Sequence, residues 1–432
     1  MDGQGRPTPA MKHHAWKSLM TEPAAKAPAL PILIIGAGPA GLFAAELLAK
    51  AGHQVQMFDG MASVGRKFLL AGRGGLNLTH SETLTQFKPR YGSSENWVEI
   101  WLEGFSPDAL RTWAEGLGQP LFVGSSGRVF PRSLKASPLL RAWLQRLADL
   151  GVTITTGARW TGFSSKGAAQ FTYRDGSIHE LRGSAILLAL GGASWPKLGA
   201  DGAWTSILSA LGVGITPLAA SNVGVHSAWT ETLKAGFGGA VLKNVEVGLG
   251  DARARGDVVI TEAGLEGGPI YALSPALRAS LGQGSCQIHL DLRPDVETET
   301  LAHRLVKAKP GQSISTALKS HVKLAPPATA LMREATGNKL PTTAMGLARL
   351  IKTLPIEVTG LAGLDRAIST AGGIGRDSVD ARLMLKPLPG VFVAGEMLDW
   401  DAPTGGYLLQ ACFSSAQHAA KGIDSWLKER AD

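Results

Sequence analysis

The sequence predicts an α/β protein in which a sheet-and-helix domain is interrupted by an insert rich in short strands. Three observations lead there. An apolar run passes through a glycine turn directly into helical spacing, and the same strand-turn-helix texture returns after residue 361. Between about Gly202 and Gly360, short alternating stretches separated by glycines replace it. With 432 residues, 44% hydrophobic and 18% charged, the chain can build two or three domains around real cores, which excludes disorder, collagen and coiled coil.

Taken in order, Ile32 to Ile35 is the first strand. The following helix carries Leu42, Ala45, Glu46, Leu48 and Ala49 at helical spacing and stops at Gly52, and Val55 to Phe58 forms a second strand ending at Asp59. Ala29 to Ala49 has the length of a membrane span, but Gly36, Gly38, Pro39 and Gly41 interrupt it and Glu46 lies inside it. Ser106-Pro107-Asp108 caps a helix bearing Leu110, Trp113, Ala114 and Leu117, and Ser137-Pro138 repeats the device. That second helix buries Leu140, Trp143, Leu144 and Leu147, stops at Gly151 and hands over to a strand at Val152 to Thr156.

In the middle region Val241 to Leu249, Asp257 to Ile260 and Cys286 to Leu292 read as strands of a small β-barrel or sandwich, and Asp295 to about Lys352 as helices. The expected domains are 31–201 with 361–432 as a discontinuous first domain, 202–294 with 353–360 as a β-barrel insert, and 295–352 as a basic helical subdomain. Residues 1–30, rich in Pro, Ala and Lys and lacking the apolar core of a signal peptide, read as a flexible tail, or as an over-extended start with Met20 as the alternative.

Two cysteines and no zinc-ligand spacing argue for a reducing, cytoplasmic setting without a structural metal. The formal charge of +8 makes a polyanionic partner plausible. It is concentrated: residues 300–333 hold Arg304, Lys307, Lys309, Lys319, Lys323 and Arg333 and no Asp or Glu. Such clusters neutralise phosphates, although a solvated helical face would have the same composition.

Gly36-Ala37-Gly38-Pro39-Ala40-Gly41 follows a strand and opens a helix, and Asp59 lies 18 residues beyond the third glycine. This is the fingerprint of a Rossmann-like dinucleotide-binding unit. Gly36 permits the turn, Gly38 lets a pyrophosphate approach the backbone, Gly41 lets helix pack on strand, and Asp59 would accept hydrogen bonds from the adenosine ribose. Val391-Phe392-Val393-Ala394-Gly395-Glu396 is a strand ending in an acid suited to ribityl hydroxyls. Gly405-Gly406-Tyr407 then opens a helix whose free N–H groups would face the flavin where negative charge collects on reduction. Flavin is therefore expected rather than nicotinamide as the bound cofactor. No second such fingerprint occurs, so a reduced nicotinamide, NAD(P)H, would dock transiently.

Six ordered motifs resemble one family, the BaiN/RdsA-like (YhiN-like) flavoproteins, over about residues 31 to 425. They are GAGPAG at 36–41, GRKFLLAGRGGLNLTHSE at 65–82, GRVFP at 127–131, LGGASWPKLGADG at 190–202, TAGGI at 370–374 and AGEMLDWDAPTGGYLLQACFSS at 394–415. The resemblance implies a Rossmann-like FAD-binding domain of glutathione-reductase type with an inserted β-barrel plus helical subdomain. It also implies reduction of a carbon-carbon double bond by NAD(P)H, in a family that includes a bile-acid-pathway branch and ribosomal RNA dihydrouridine synthases. The cofactor contacts it implies are Gly36, Gly38, Pro39, Ala40, Gly41, Asp59, Gly60, Arg66, Lys67, Gly72, Gly74, Asn77, Gly191, Gly395, Glu396, Gly405, Gly406 and Tyr407.

The sequence departs from the family at one place: Leu76 stands where the commoner pattern has the cysteine of Arg-Cys-Asn. Reducing an enone or a uracil needs a hydride at one carbon and a proton at its neighbour, so another group must give the proton. His80 is the nearest candidate, with Lys67, Arg66 and Tyr407 behind it, and water is a further source. Cys286 and Cys412 read as core residues. The leading expectation is an FAD enzyme that reduces uridine to dihydrouridine in ribosomal RNA, with the uridine entering unstacked and the six basic residues of 300–333 holding flanking phosphates. The alternatives are reduction of a small enone or steroid-like molecule, and a flavin-containing RNA-binding factor without turnover.

Overall fold

A computed structural model describes residues 30–284 and 286–431. The expected tail, but for Leu30, and the choice between Met1 and Met20 lie outside them. The chain divides into two compact units: one runs to Ala219 and resumes at Thr370, the other is Ala220–Ser369.

The first unit is built on a five-stranded parallel sheet, ordered Val391–Val393, Ile186–Leu188, Ile32–Ile35, Val55–Asp59, Thr153–Thr156. Strands Ile186–Leu188 and Ile32–Ile35 are apolar and buried along their whole length because both faces of the sheet are covered. Helix Pro39–Lys50 starts with Pro at its first position, where no N–H is needed, and Ser106 Oγ accepts from Ala109 N–H to cap helix Pro107–Glu115. The helix expected to be capped by Ser137 instead begins at Ala136, after Lys135, with no side-chain cap. Helix Tyr407–Ala431 closes the domain with Phe413, Ala416, Ala419 and Ile423 in the core.

Glu46, fully buried, explains the charge inside the apolar run. Its carboxylate accepts from Lys50 Nζ (2.6 Å), Arg146 Nη1 (3.1 Å) and Trp113 Nε1 (3.0 Å), and so ties three helices together. A buried charge is tolerated only when paired and hydrogen-bonded in this way.

The second unit holds a seven-stranded antiparallel sheet whose edge strands are Leu354–Val358 and Gly360–Leu361. Thr359 alone separates them, so the sheet curls until its edges meet, as a barrel must. Four helices, Thr298–Leu305, Ile314–Val322, Pro326–Ala335 and Ala344–Lys352, occupy the stretch expected to be a separate subdomain. They do not form one: Leu301, Leu318, Leu331 and Ile351 share a single core with the barrel residues Val247, Ile288 and Leu290.

The expected boundaries at 201/202 and 360/361 also shift, to 219/220 and 369/370. The glycines near Gly202 suggested a domain change. However, Trp204 and Leu208 just beyond belong to the first core, and Trp204 Nε1 donates to the Gly191 carbonyl (2.9 Å).

Candidate functional site: a dinucleotide groove in the first unit

A groove runs across the carboxyl ends of the parallel strands, where open α/β sheets bind ligands. It is lined by Gly36 to Ala40, Asp59 to Met61, Gly65 to Phe68, Ala189 to Gly191, Leu198 to Asp201, and Ala394 to Glu396.

The three fingerprint glycines differ in what surrounds them. A Cβ on Gly36 would lie 2.3 Å from the Ala189 carbonyl oxygen, and one on Gly41 would lie 1.9 Å from the Gly36 oxygen. These two glycines are consumed by packing. A Cβ on Gly38 would meet nothing within 4 Å, and its backbone is extended, at φ −84° and ψ −178°. A side chain at Gly38 would therefore enter the open groove rather than clash with the fold.

Asp59 Oδ2 accepts from Ala37 N–H and Oδ1 from Met61 N–H, both at 2.8 Å, which ties the glycine turn to the end of the second strand. Burial raises its pKa, against the opposing pull of those two bonds and of Arg66. Gly60 packs against Arg159. Arg66, beside the groove, has a buried Nε without a hydrogen-bond partner, and so does Asn77 at Oδ1. Unpaired buried polar atoms are costly unless a ligand completes them. The open cradle at Gly38 and the unpaired Arg66 Nε in the groove lining fit the pyrophosphate of a dinucleotide cofactor.

Lys67 Nζ donates to Glu396 Oε2 (2.7 Å) and to Ser194 Oγ. Glu396 also accepts from Thr370 N–H (3.0 Å) and Gly192 N–H (3.4 Å), while Thr370 Oγ1 accepts from Ala193 and Ser194 N–H. The acid expected at the strand end is thus held firmly in the groove lining, with both oxygens accepting hydrogen bonds. Ser194 and Thr370 belong to quoted motifs, but nothing in their spacing announced that they would meet. Gly395 is pinned through Ser415 Oγ (3.0 Å) and Trp400 Nε1 (2.9 Å). Cys412 also lines the groove; burial, then the charge of Glu396, pushes its thiol up to about 12, so it stays protonated.

Several expected contacts lie elsewhere. Gly72 is turned onto the helix Ala136–Asp149, where its Cβ would meet Ala136 at 2.7 Å. Gly74, Asn77, Gly405, Gly406 and Tyr407 are not among the groove-lining residues, and Gly406 packs on the Thr79 backbone. His80 is corrected as the acid candidate: Glu82 N–H donates to its Nδ1 (3.2 Å), which leaves Nε2 as the donor to the Ser126 carbonyl (2.8 Å). Both nitrogens serve the loop. Tyr407 Oη donates to Glu82 Oε1 (2.6 Å), and burial, then that hydrogen bond, raise its pKa well above the ordinary phenol value. Arg90 donates twice to Glu82, at 3.2 and 2.9 Å. On Glu82 the Arg90 and Tyr407 bonds outweigh a burial penalty that is the largest single effect, so its pKa is lowered.

All six basic candidates lie in the second unit. Lys307, Lys309, Lys319 and Lys323 are exposed, and Arg304 and Arg333 half-buried. Among the described residues none of the six forms an ion pair, whereas Arg255 and Lys352 of the same unit do. Among these residues too, no group of His, Cys, Asp or Glu is placed to hold a metal ion, and no helix is long and apolar enough to cross a membrane.

Fold and groove together define a flavoprotein oxidoreductase with a Rossmann-like FAD-binding domain. The chain belongs to the HI0933-like protein Rossmann-domain family, whose model matches residues 30–422. It is 26% identical over 410 residues to the "Ribosomal RNA dihydrouridine synthase" of Escherichia coli (strain K12), covering 90% of this chain and 97% of that protein. It is likewise 26% identical over 414 residues to the protein of the same name from Haemophilus influenzae, covering 90% and 98%. Among solved structures, the 3-ketosteroid delta1-dehydrogenase of Sterolibacterium denitrificans shares the fold, with a TM-score of 0.51, 12% identity, and coverage of 92% of this chain and all of that one.

Proposed function

We propose that this protein is an FAD-dependent, NAD(P)H-using reductase that converts uridine to dihydrouridine in ribosomal RNA. The observation that carries RNA over a small substrate is the segment 300–333, where six cations stand without a carboxylate partner. Clustered like charges repel one another and attract a polyanion, whose phosphates supply the counter-charge. The names of the two bacterial relatives point the same way.

When bound, the flavin supplies a hydride to one carbon of the uracil double bond. The chain's part is to hold cofactor and base, exclude water and provide the proton. Gly38 and Arg66 hold the pyrophosphate, and Glu396, fixed by Lys67, orients the ribityl chain. Lys67 is committed to Glu396 and Ser194, and His80 to its own loop. Tyr407, outside the groove lining and donating to Glu82 Oε1, is the remaining candidate: released from that bond, its Oη would give the proton to the carbon beside the hydride acceptor.

The test is to reduce the flavin anaerobically with NADPH and follow its reoxidation in a stopped-flow instrument. Ribosomal RNA lacking the modification should reoxidise it and yield dihydrouridine. Reoxidation by a small enone or steroid, with none by RNA, would refute the substrate assignment, and no reoxidation by either would indicate a factor without turnover.

A further inference from the structure

The second unit contains a cleft of about 910 Å³ formed by the helices Glu231–Phe237, Ile314–Val322 and Pro326–Ala335. Its lining is divided chemically. Leu233, Phe237 and Leu324 supply apolar surface, and Thr316, Lys319 and Arg333 supply polar groups. We propose that this cleft is a nucleotide subsite that seats one unpaired base of the RNA against Phe237, with the adjoining phosphate on Lys319 and Arg333. The inference rests on the RNA reading above and adds to it a defined place of contact.

Four features favour a nucleotide. The volume lies within the range of ligand pockets and would leave a free phosphate with most of the space empty. Arg333 is aimed by neutral partners, donating to Asn338 Oδ1 (2.7 Å) and Ser315 Oγ (3.1 Å), so its direction is fixed and its charge is left for a ligand. The lining has one carboxylate, Glu334, and it is engaged elsewhere: it accepts from Thr230 N–H and from Thr230 Oγ1 (2.7 Å). That contact also joins the helices Glu231–Phe237 and Pro326–Ala335 and so sets the width of the cleft. Finally, an aromatic ring beside cations is the arrangement by which single strands are held, the base stacking while the phosphate is neutralised.

The experiment is fluorescence anisotropy with the FAD-loaded full chain and a 5′-labelled single-stranded RNA dodecamer of mixed sequence, over a range of KCl concentrations. Lys319→Gln should weaken binding and flatten the slope of log Kd against log salt by about 0.7, the share of one phosphate on a single strand. Phe237→Leu, which keeps the bulk but not the ring, should weaken binding about fivefold or more and leave the salt slope unaltered. Lys421→Glu, an exposed lysine on the last helix of the first unit, should bind like the unsubstituted chain. Wild-type affinity and slope in both cleft variants would overturn the proposal, as would an equal loss in Lys421→Glu. Unchanged RNA binding with a raised KM for NADPH in Lys319→Gln would assign the cleft to the dinucleotide and also overturn it. If the cleft variants lose RNA while the unsubstituted chain makes no dihydrouridine, the subsite stands and the reductase assignment fails.

Discussion

Replacing Gly38 with valine tests the cofactor groove because the structure separates its effect on the ligand from its effect on the fold. A side chain at Gly38 meets nothing within 4 Å, and φ −84° with ψ −178° suits any L-residue. Loss of glycine flexibility in the unfolded chain and loss of a good N-cap residue act in opposite directions, so apo stability should change by less than about 1 kcal/mol. The valine methyls would instead occupy the cradle assigned to the pyrophosphate. Losing even two charge-assisted hydrogen bonds there, at about 1.5–3 kcal/mol each, raises the FAD Kd roughly 10²- to 10⁴-fold. Gly41→Val should do the reverse, because its Cβ would sit 1.9 Å from the Gly36 carbonyl oxygen and destabilise the apo fold by about 3 kcal/mol or more. The assay is calorimetric titration of each apo variant with FAD, beside thermal unfolding of the same samples. Gly38→Val with wild-type FAD affinity, or with an unfolding temperature as low as that of Gly41→Val, would refute the reasoning.

Lys67→Met and Glu396→Gln should be coupled, with a double-mutant interaction energy of about 1–3 kcal/mol in urea unfolding of the apo protein; additive effects would show that the pair is not formed. At pH 8 a thiol pushed up to about 12 has a thiolate population about a thousandfold below that of an ordinary cysteine near 9, so Cys412 should resist iodoacetamide in the folded chain; prompt labelling would contradict its burial. Tyr407→Phe should leave flavin reduction by NADPH intact and slow dihydrouridine formation about 10²-fold or more, and full product formation would remove Tyr407 as the acid. Glu82 has a depressed folded pKa, so its ionised form adds stability that is fully present above its unfolded pKa of about 4.3 and is lost as pH falls through the folded value. The stability difference between the unsubstituted chain and Glu82→Gln should therefore be constant, at up to about 1 kcal/mol, from pH 6 upward and shrink below pH 4; growth of the gap on acidification would reverse the assignment.

Legibility in the sequence followed locality. The strand, glycine turn and helix from Ile32 to Lys50 are set by residues adjacent in the chain, and each fingerprint glycine has the surroundings its position implied. The barrel could be read from alternation, and its closure through Thr359 follows once Leu354–Val358 and Gly360–Leu361 are known to be opposite edges. What sequence could not give was assembled from distant residues. Glycine clustering near Gly202 imitated a boundary because the packing of Trp204 against the first core leaves no local mark. The helices of 298–352 looked independent because their apolar faces do not show which core receives them. His80 looked like an acid because its type and motif said nothing of Ser126 and Glu82, whose backbone groups hold both ring nitrogens. Gly72 was assigned to the cofactor for lack of any sign that it faces Ala136. The cleft of the second unit brings together Phe237, Lys319 and Arg333 from three helices, and only the two cations stand out in the sequence.

The proposed substrate of this flavoprotein is a uridine of ribosomal RNA. The most direct measurement is the dihydrouridine content of large-subunit ribosomal RNA, by mass spectrometry, from the source organism with and without this gene. One dihydrouridine should disappear on deletion and return when the unsubstituted gene, but not Gly38→Val, is restored. An unchanged dihydrouridine content after deletion would contradict it and leave a reductase of small molecules.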